Sequence, residues 1–143
     1  MSEVRILEYI KFFEELSLDN LSTMNLIIHD DIHFRDPFND TIGIVAYTLI
    51  LEDMFKKVPD IKFVVKSYSL NDKGAFLKWE SIANSTKLGK PWIIEGMSEI
   101  QFSSNNKVIE HIDYWDSSRY FYEHLPILGH VLKFIRRLVS AKN

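Results

Sequence analysis

Apolar positions near the start of the chain recur every three to four residues. Val4, Leu7, Ile10 and Phe13 mark a helical stripe, widened by Tyr9, Phe12 and Leu16. Ser2 stands where a cap is expected, and Glu3 suits the positive helix end. Asp19 is read as the cap of a second short helix carrying Leu21, Met24 and Ile28. The grammar then changes. Ile32 and Phe34 alternate as in a short strand, which Asp36-Pro37 ends because proline has no amide to give to a ladder. Residues 43–57 return to helical spacing, with Val45, Leu49, Glu52 and Lys56 along them, and Pro59 stops the helix.

From Asp60 onward the chain reads as strand. Residues 61–70, 75–83, 92–102 and 108–115 predict four consecutive strands, with the second, third and fourth following a turn at residues 71–74, a loop at 87–91 and a polar turn at 103–106. The tail, residues 125–142, is helical again. Pro126 suits its first turn, and Leu128, Val131, Leu132, Ile135, Leu138 and Val139 form its stripe. The expectation is that this stripe packs on the domain, with Lys133, Arg136 and Arg137 complementing the helix dipole. A partner helix and a membrane-surface helix are the alternatives. This order predicts an α+β fold: a cone-shaped, curved antiparallel β-sheet wrapped around N-terminal helices, plus a C-terminal helix. One domain covers residues 1–143, with a core over about 5–119 and a helical tail over 120–143. A cone of this kind encloses a pocket suited to a small apolar molecule.

Composition narrows the possibilities. The 143 residues are 46% apolar and 26% charged, enough for one buried core and too apolar for a disordered chain. The absence of cysteine excludes disulfides, thiolate metal sites and a cysteine nucleophile. Seventeen basic against twenty acidic residues give a net charge of −3, which offers no support for nucleic-acid binding. No apolar run approaches the ~20 residues of a membrane span. Charges interleave the apolar residues of the N-terminus, which is unlike a signal peptide, so the expected location is the cytoplasm.

The candidate chemistry centres on residues 111–116. Alternation along a strand places His111, Asp113 and Trp115 on one face, with same-face neighbours ~7 Å apart. If that face is the inner one, burial tunes Asp113 for proton transfer and His111 sets its charge. If it is the outer one, the three meet solvent or a partner subunit. Asp36 is a second candidate carboxylate, its competing reading being a turn aspartate bonded to its own backbone. His29-Asp30-Asp31-Ile32-His33 lacks the glutamate of a zinc helix, and His111, Asp113 and Asp36 offer too little nitrogen for zinc, so no metal is expected. Asn84-Ser85-Thr86 fits a glycosylation sequon and is read as chance. Ser117 and Ser118 lack a nucleophile elbow. No glycine-rich phosphate loop is present, and no cofactor is expected.

The element order, the Asp36-Pro37 step and the run from Gly96 to Asp116 (GMSEIQFSSNNKVIEHIDYWD) resemble the nuclear transport factor 2-like superfamily. The likeness is greatest to its SnoaL-like and ketosteroid-isomerase-like branch, over residues 5–119. The resemblance implies that Asp36 occupies the place of the isomerase base. It sets Phe12 and Ser98 at the oxyanion-hole positions and Leu51 at that of a supporting tyrosine. Phe12 cannot donate a hydrogen bond and Ser98 is a neutral donor, so steroid isomerisation by that mechanism is not implied. Losing one such donor costs ~2.7–4 kcal/mol of transition-state stabilisation. The resemblance also turns His111, Asp113 and Trp115 inward. It implies a cofactor-free isomerase or cyclase using Asp113, His111 and Asp36, with Phe12, Phe34, Tyr47, Ser98 and Trp115 around the ligand. The alternative it leaves is a non-catalytic ligand-binding or protein-interaction module. That module would form a homodimer through an outer sheet face bearing Ile112, Tyr114, Glu95, Met97 and Glu99.

Overall fold

A computed structural model describes residues 3–142, so the expected Ser2 cap lies outside the described residues. The first helix, α1 (Glu3–Glu14), buries Ile6, Tyr9, Phe12 and Phe13, with Leu16 just beyond it. The stripe is therefore rotated from the one expected. Val4 and Leu7 point to solvent, because the sheet lies against the face that carries Tyr9. A 3-10 helix (Leu18–Leu26) follows. Ser17, not Asp19, holds its N-cap position, and the Asn20 side chain accepts the Ser17 amide at 2.9 Å.

Strands β1 (Ile28–Arg35) and β2 (Asp40–Ile42) form a hairpin that leads into α2 (Ile44–Lys57). Gly43, at φ 109°, takes the turn into α2 in a region that disfavours side chains. Helix α2 buries Tyr47, Leu51 and Phe55, four residues apart on one face. Four longer strands follow: β3 (Lys62–Leu70), β4 (Gly74–Ala83), β5 (Trp92–Phe102) and β6 (Val108–Trp115).

The fold is the expected α+β arrangement of a curved, open sheet with N-terminal helices and a C-terminal helix. The six strands run in the order β2-β1-β6-β5-β4-β3. Strands β3 to β6 make the antiparallel meander, but β1 joins β6 in parallel, so the sheet is mixed. Such a pair needs a long crossover, which α2 and the meander supply. Register shifts at Ile28/His33, Val65/Ser67 and Gln101/Phe102 add local twist and help the sheet curl. Gly96 permits a specific close contact: a Cβ there would stand 2.5 Å from the Trp79 ring, which lies across it.

Beyond β6 come a short helix, α3 (Ser117–Tyr120), a 3-10 turn (Tyr122–His124) and α4 (Leu128–Val139). The tail helix starts after Pro126 and does not pack its stripe on the domain. Its main contact is the 3-10 turn. Val131, Phe134, Ile135 and Leu138 are exposed. The expectation of a packed helix is thus corrected, because the groups that dock α4 lie on its polar side.

Candidate functional site

The concave face of the sheet, the inner face of α2 and the end of α1 enclose a cavity of about 640 Å³. That volume lies in the range of small-molecule sites. Phe13, Phe34, Leu51, Trp79 and Ile94 supply much of its apolar wall, and His111, Asp113 and Asp36 its polar part. Tyr47 and Trp115 also reach it. Phe12 and Ser98 are buried behind the lining: Phe12 stacks on Tyr9 at 6.1 Å between ring centres, and Ser98 bonds to Asp113.

The alternation of β6 turns His111 and Asp113 toward this space, while Tyr114 stands on the opposite face. Ile112 shares the outer side but is buried. His111 is fully buried among Tyr9, Phe13, Phe34 and Tyr47. Its Nδ1 meets the Tyr9 hydroxyl at 2.5 Å, and its Nε2 meets Asp113 Oδ1 at 2.7 Å.

Donor chemistry fixes the direction on the other side of Asp113. Trp79 Nε1–H can only donate, and it donates to Ser98 Oγ at 2.8 Å. The Ser98 hydroxyl proton then goes to Asp113 Oδ1. With Asp113 ionised, the imidazole donates Nε2–H to it; a ring whose single proton sits there has Nδ1 free to accept the Tyr9 hydroxyl. Two chains of donors therefore converge on one oxygen, Asp113 Oδ1. Burial raises the pKa of Tyr9 well above its ordinary value, with Tyr47 and the Asp113 charge adding to it, so Tyr9 stays a phenol able to donate. Tyr47 is raised likewise, first by burial and then by the Asp113 charge.

Asp36 closes the polar end from β1. It does bond to its own turn: Oδ1 accepts the Phe38 amide at 2.8 Å and the Asn39 amide at 2.7 Å. It also borders the cavity, so its turn bonding does not take it off the cavity wall. Burial raises its pKa, the turn amides oppose that, and the Asp113 charge adds to the rise. Because the folded value lies above the unfolded one, the stability tied to protonated Asp36 is complete below the ordinary carboxylate value. It is lost as pH rises through the raised value. Asp36→Asn keeps the Oδ1 acceptor and removes the charge. It should be more stable than the parent at pH 7 and flatten that limb of the stability profile, as urea unfolding from pH 3 to 7 would read.

Sequence reasoning missed Tyr9 and Trp79 as members of this cluster. Tyr9 and Tyr47 stand about one helical turn before Phe12 and Leu51, the positions that the resemblance sets. The signal was the spacing Ile6-Tyr9-Phe13, which marks the deepest face of α1. At the mouth, Phe38 packs edge-on against Trp115 at 5.4 Å and Phe121 at 5.1 Å. Trp92 Nε1 donates to the Tyr120 carbonyl at 2.7 Å, tying this rim to β5. Among the described residues no three His, Asp or Glu side chains are grouped to hold a metal. His33 instead bridges Asp40 at 2.7 Å and Glu110 at 3.4 Å, and the Asp40 bond raises its pKa.

Residues 9–111 match the family model of the SnoaL-like domain. The chain belongs to the SnoaL-like domain family. No curated protein matches this SnoaL-like chain. Its fold is shared with solved nuclear transport factor 2-like structures. One, of unknown function, from Exiguobacterium sp. 255-15, has a TM-score of 0.65 at 16% identity, covering 78% of this chain and 98% of that one. AclR, a candidate hydroxylase from Streptomyces galilaeus, has a TM-score of 0.65 at 20% identity, covering 90% and 95%. A candidate SnoaL-like polyketide cyclase from Jannaschia sp. CCS1 has a TM-score of 0.66 at 10% identity, covering 81% and 90%. At these identities the likeness establishes the SnoaL-like fold and leaves the chemistry to the site.

Proposed function

We propose that this SnoaL-like domain binds a small apolar molecule in the cavity and moves protons on it, in an isomerisation or ring closure of cyclase type. The observation that carries this reading is the convergence of hydrogen bonds on Asp113 Oδ1. Among the described residues they leave Oδ2 without a protein donor, on the wall of a mainly apolar cavity. In the proposal Asp113 takes a proton from substrate through Oδ2. Asp36, whose burial favours the protonated form, returns one at a second position. One proton leaves the substrate and one enters it, so the step is redox-neutral. The name of one structural relative, the candidate polyketide cyclase from Jannaschia, is of the same reaction class.

The first test is binding. Trp79, Trp92 and Trp115 all line the cavity, so a polycyclic aromatic ketone entering it should quench tryptophan fluorescence. Met54→Trp, which fills the space from α2, should weaken binding by tenfold or more. Equal affinity in the parent and the filled variant would reject the cavity as the site.

A second reading rests on the outer sheet face, where Phe76, Met97 and Tyr114 are exposed on adjacent strands. That face suits a homodimer, with or without catalysis. Sedimentation velocity of Tyr114→Glu against the parent decides it: a dimer through this face should dissociate on substitution.

A further inference from the structure

The tail helix presents its chemistry in an unusual direction. Successive residues advance by 100° around a helix, which puts Leu128, Val131, Leu132, Phe134, Ile135, Leu138 and Val139 on one continuous apolar side of α4. Gly129, His130, Lys133, Arg136 and Arg137 form the other. The polar side is the one that docks. Gly129 lies directly on the Glu123 backbone, where a Cβ would stand 2.4 Å from the carbonyl oxygen. One full repeat later, Arg136 donates from Nε to Glu123 Oε1 at 2.8 Å, and its Nη2 forms an ion pair with the same oxygen at 2.8 Å. Glu123 is itself buried. The apolar side is therefore aimed away from the domain by the contacts that hold the helix.

The charge distribution says what that side faces. All twenty acidic residues lie at or before Glu123, whereas Lys133, Arg136, Arg137 and Lys142 follow it. The stretch after Glu123 thus bears four cationic side chains and no acidic one, with Arg136 held by Glu123. A second copy of α4 would offer a seam only about 18 Å long at 1.5 Å per residue, short for a stable dimer. A bilayer with anionic headgroups meets both properties: the apolar side enters the acyl boundary, and the basic side chains reach the phosphates. No helix among the described residues is long and apolar enough to cross a membrane, and the geometry here requires none.

We infer that α4 is an interfacial helix that docks the domain on an anionic lipid surface, its apolar side down and Lys133 and Arg137 at the headgroups. Phe121 and Tyr122, at the cavity mouth, come shortly before α4 in sequence. Docking therefore holds the domain, and not only a distant tail, at the membrane.

The test is flotation of the full chain with vesicles of phosphatidylcholine alone or with 30% phosphatidylglycerol, a composition chosen as roughly that of an anionic membrane. The parent should float with the anionic vesicles, weakly with the neutral ones, and less as salt rises. Lys133→Gln with Arg137→Gln should reduce partition into anionic vesicles by roughly 25-fold. Ile135→Glu with Leu138→Glu should abolish it. These four side chains are exposed, so the fold is kept, which far-ultraviolet circular dichroism verifies. Absence of flotation with anionic vesicles at low salt overturns the inference, as does flotation that survives the glutamate pair. A parent dimer that the glutamate pair dissociates, with no vesicle binding, would assign the surface to a second copy.

Discussion

Replacing His111 with phenylalanine should lower the free energy of unfolding by about 3–4 kcal/mol, near the upper end for a single substitution. Phenylalanine fits an aromatic cage and fills similar space, so the loss comes from hydrogen bonding. The Tyr9 hydroxyl would lose its acceptor while fully buried, and Asp113 Oδ1 would lose one of its two donors. Each buried polar group left unpaired costs ~1–3 kcal/mol, more for a charged one. The explanation is separable from packing by a double-mutant cycle. Tyr9→Phe alone should cost about 1–2 kcal/mol, because it removes the hydroxyl partner of the buried imidazole Nδ1. In the presence of His111→Phe the same change should cost nothing or stabilise, because there is no acceptor left to lose. A coupling of about 1–3 kcal/mol in urea unfolding at pH 7 is expected. Strict additivity would mean that the 2.5 Å contact contributes packing alone.

The same contact shows where reading a sequence stops. The strands of the meander were legible because their alternation and their turns agree: Ile94, Gly96, Ser98 and Ile100 face inward, and Glu95 and Met97 outward. Helix α1 was legible as a helix but not in phase. Its apolar residues cover much of the circumference, so only the docking against the sheet decides that Tyr9 is buried and Leu7 exposed. Tyr9 reaches His111 across 102 positions of chain, a pairing that no local spacing encodes. The face of β6 was a choice between two pleats, and family resemblance, not composition, favoured the inward one. The parallel β1–β6 pair escaped for a similar reason, since alternation reports the face of a strand and not its direction. In the tail, an apolar stripe does not mean burial. The groups that fix α4 are instead a glycine and an arginine on its polar side, meeting a buried Glu123 that precedes it.

Asp113→Asn should leave the fold and ligand affinity nearly intact while lowering proton transfer by about 10²–10⁴-fold. Asparagine keeps an oxygen for the His111 and Ser98 donors, so the two chains of hydrogen bonds persist with a neutral endpoint. What it removes is the basic oxygen that the proposal gives to substrate. The reaction can be followed without knowing the product: in D₂O, a polycyclic ketone that binds the cavity should gain deuterium next to its carbonyl, read by mass spectrometry. The pH dependence then distinguishes the two carboxylates. If Asp36 supplies the returning proton, the rate falls as pH rises through its raised value, because the acid is lost there. Asp36→Asn should lower the rate by a similar order and erase that limb, whereas Asp113→Asn should leave the limb in place at a reduced level. Exchange that continues at the parental rate in Asp113→Asn would remove this carboxylate from the chemistry. The cavity would then be a binding site whose Tyr9–His111–Asp113 chain serves only to hold β6 against α1.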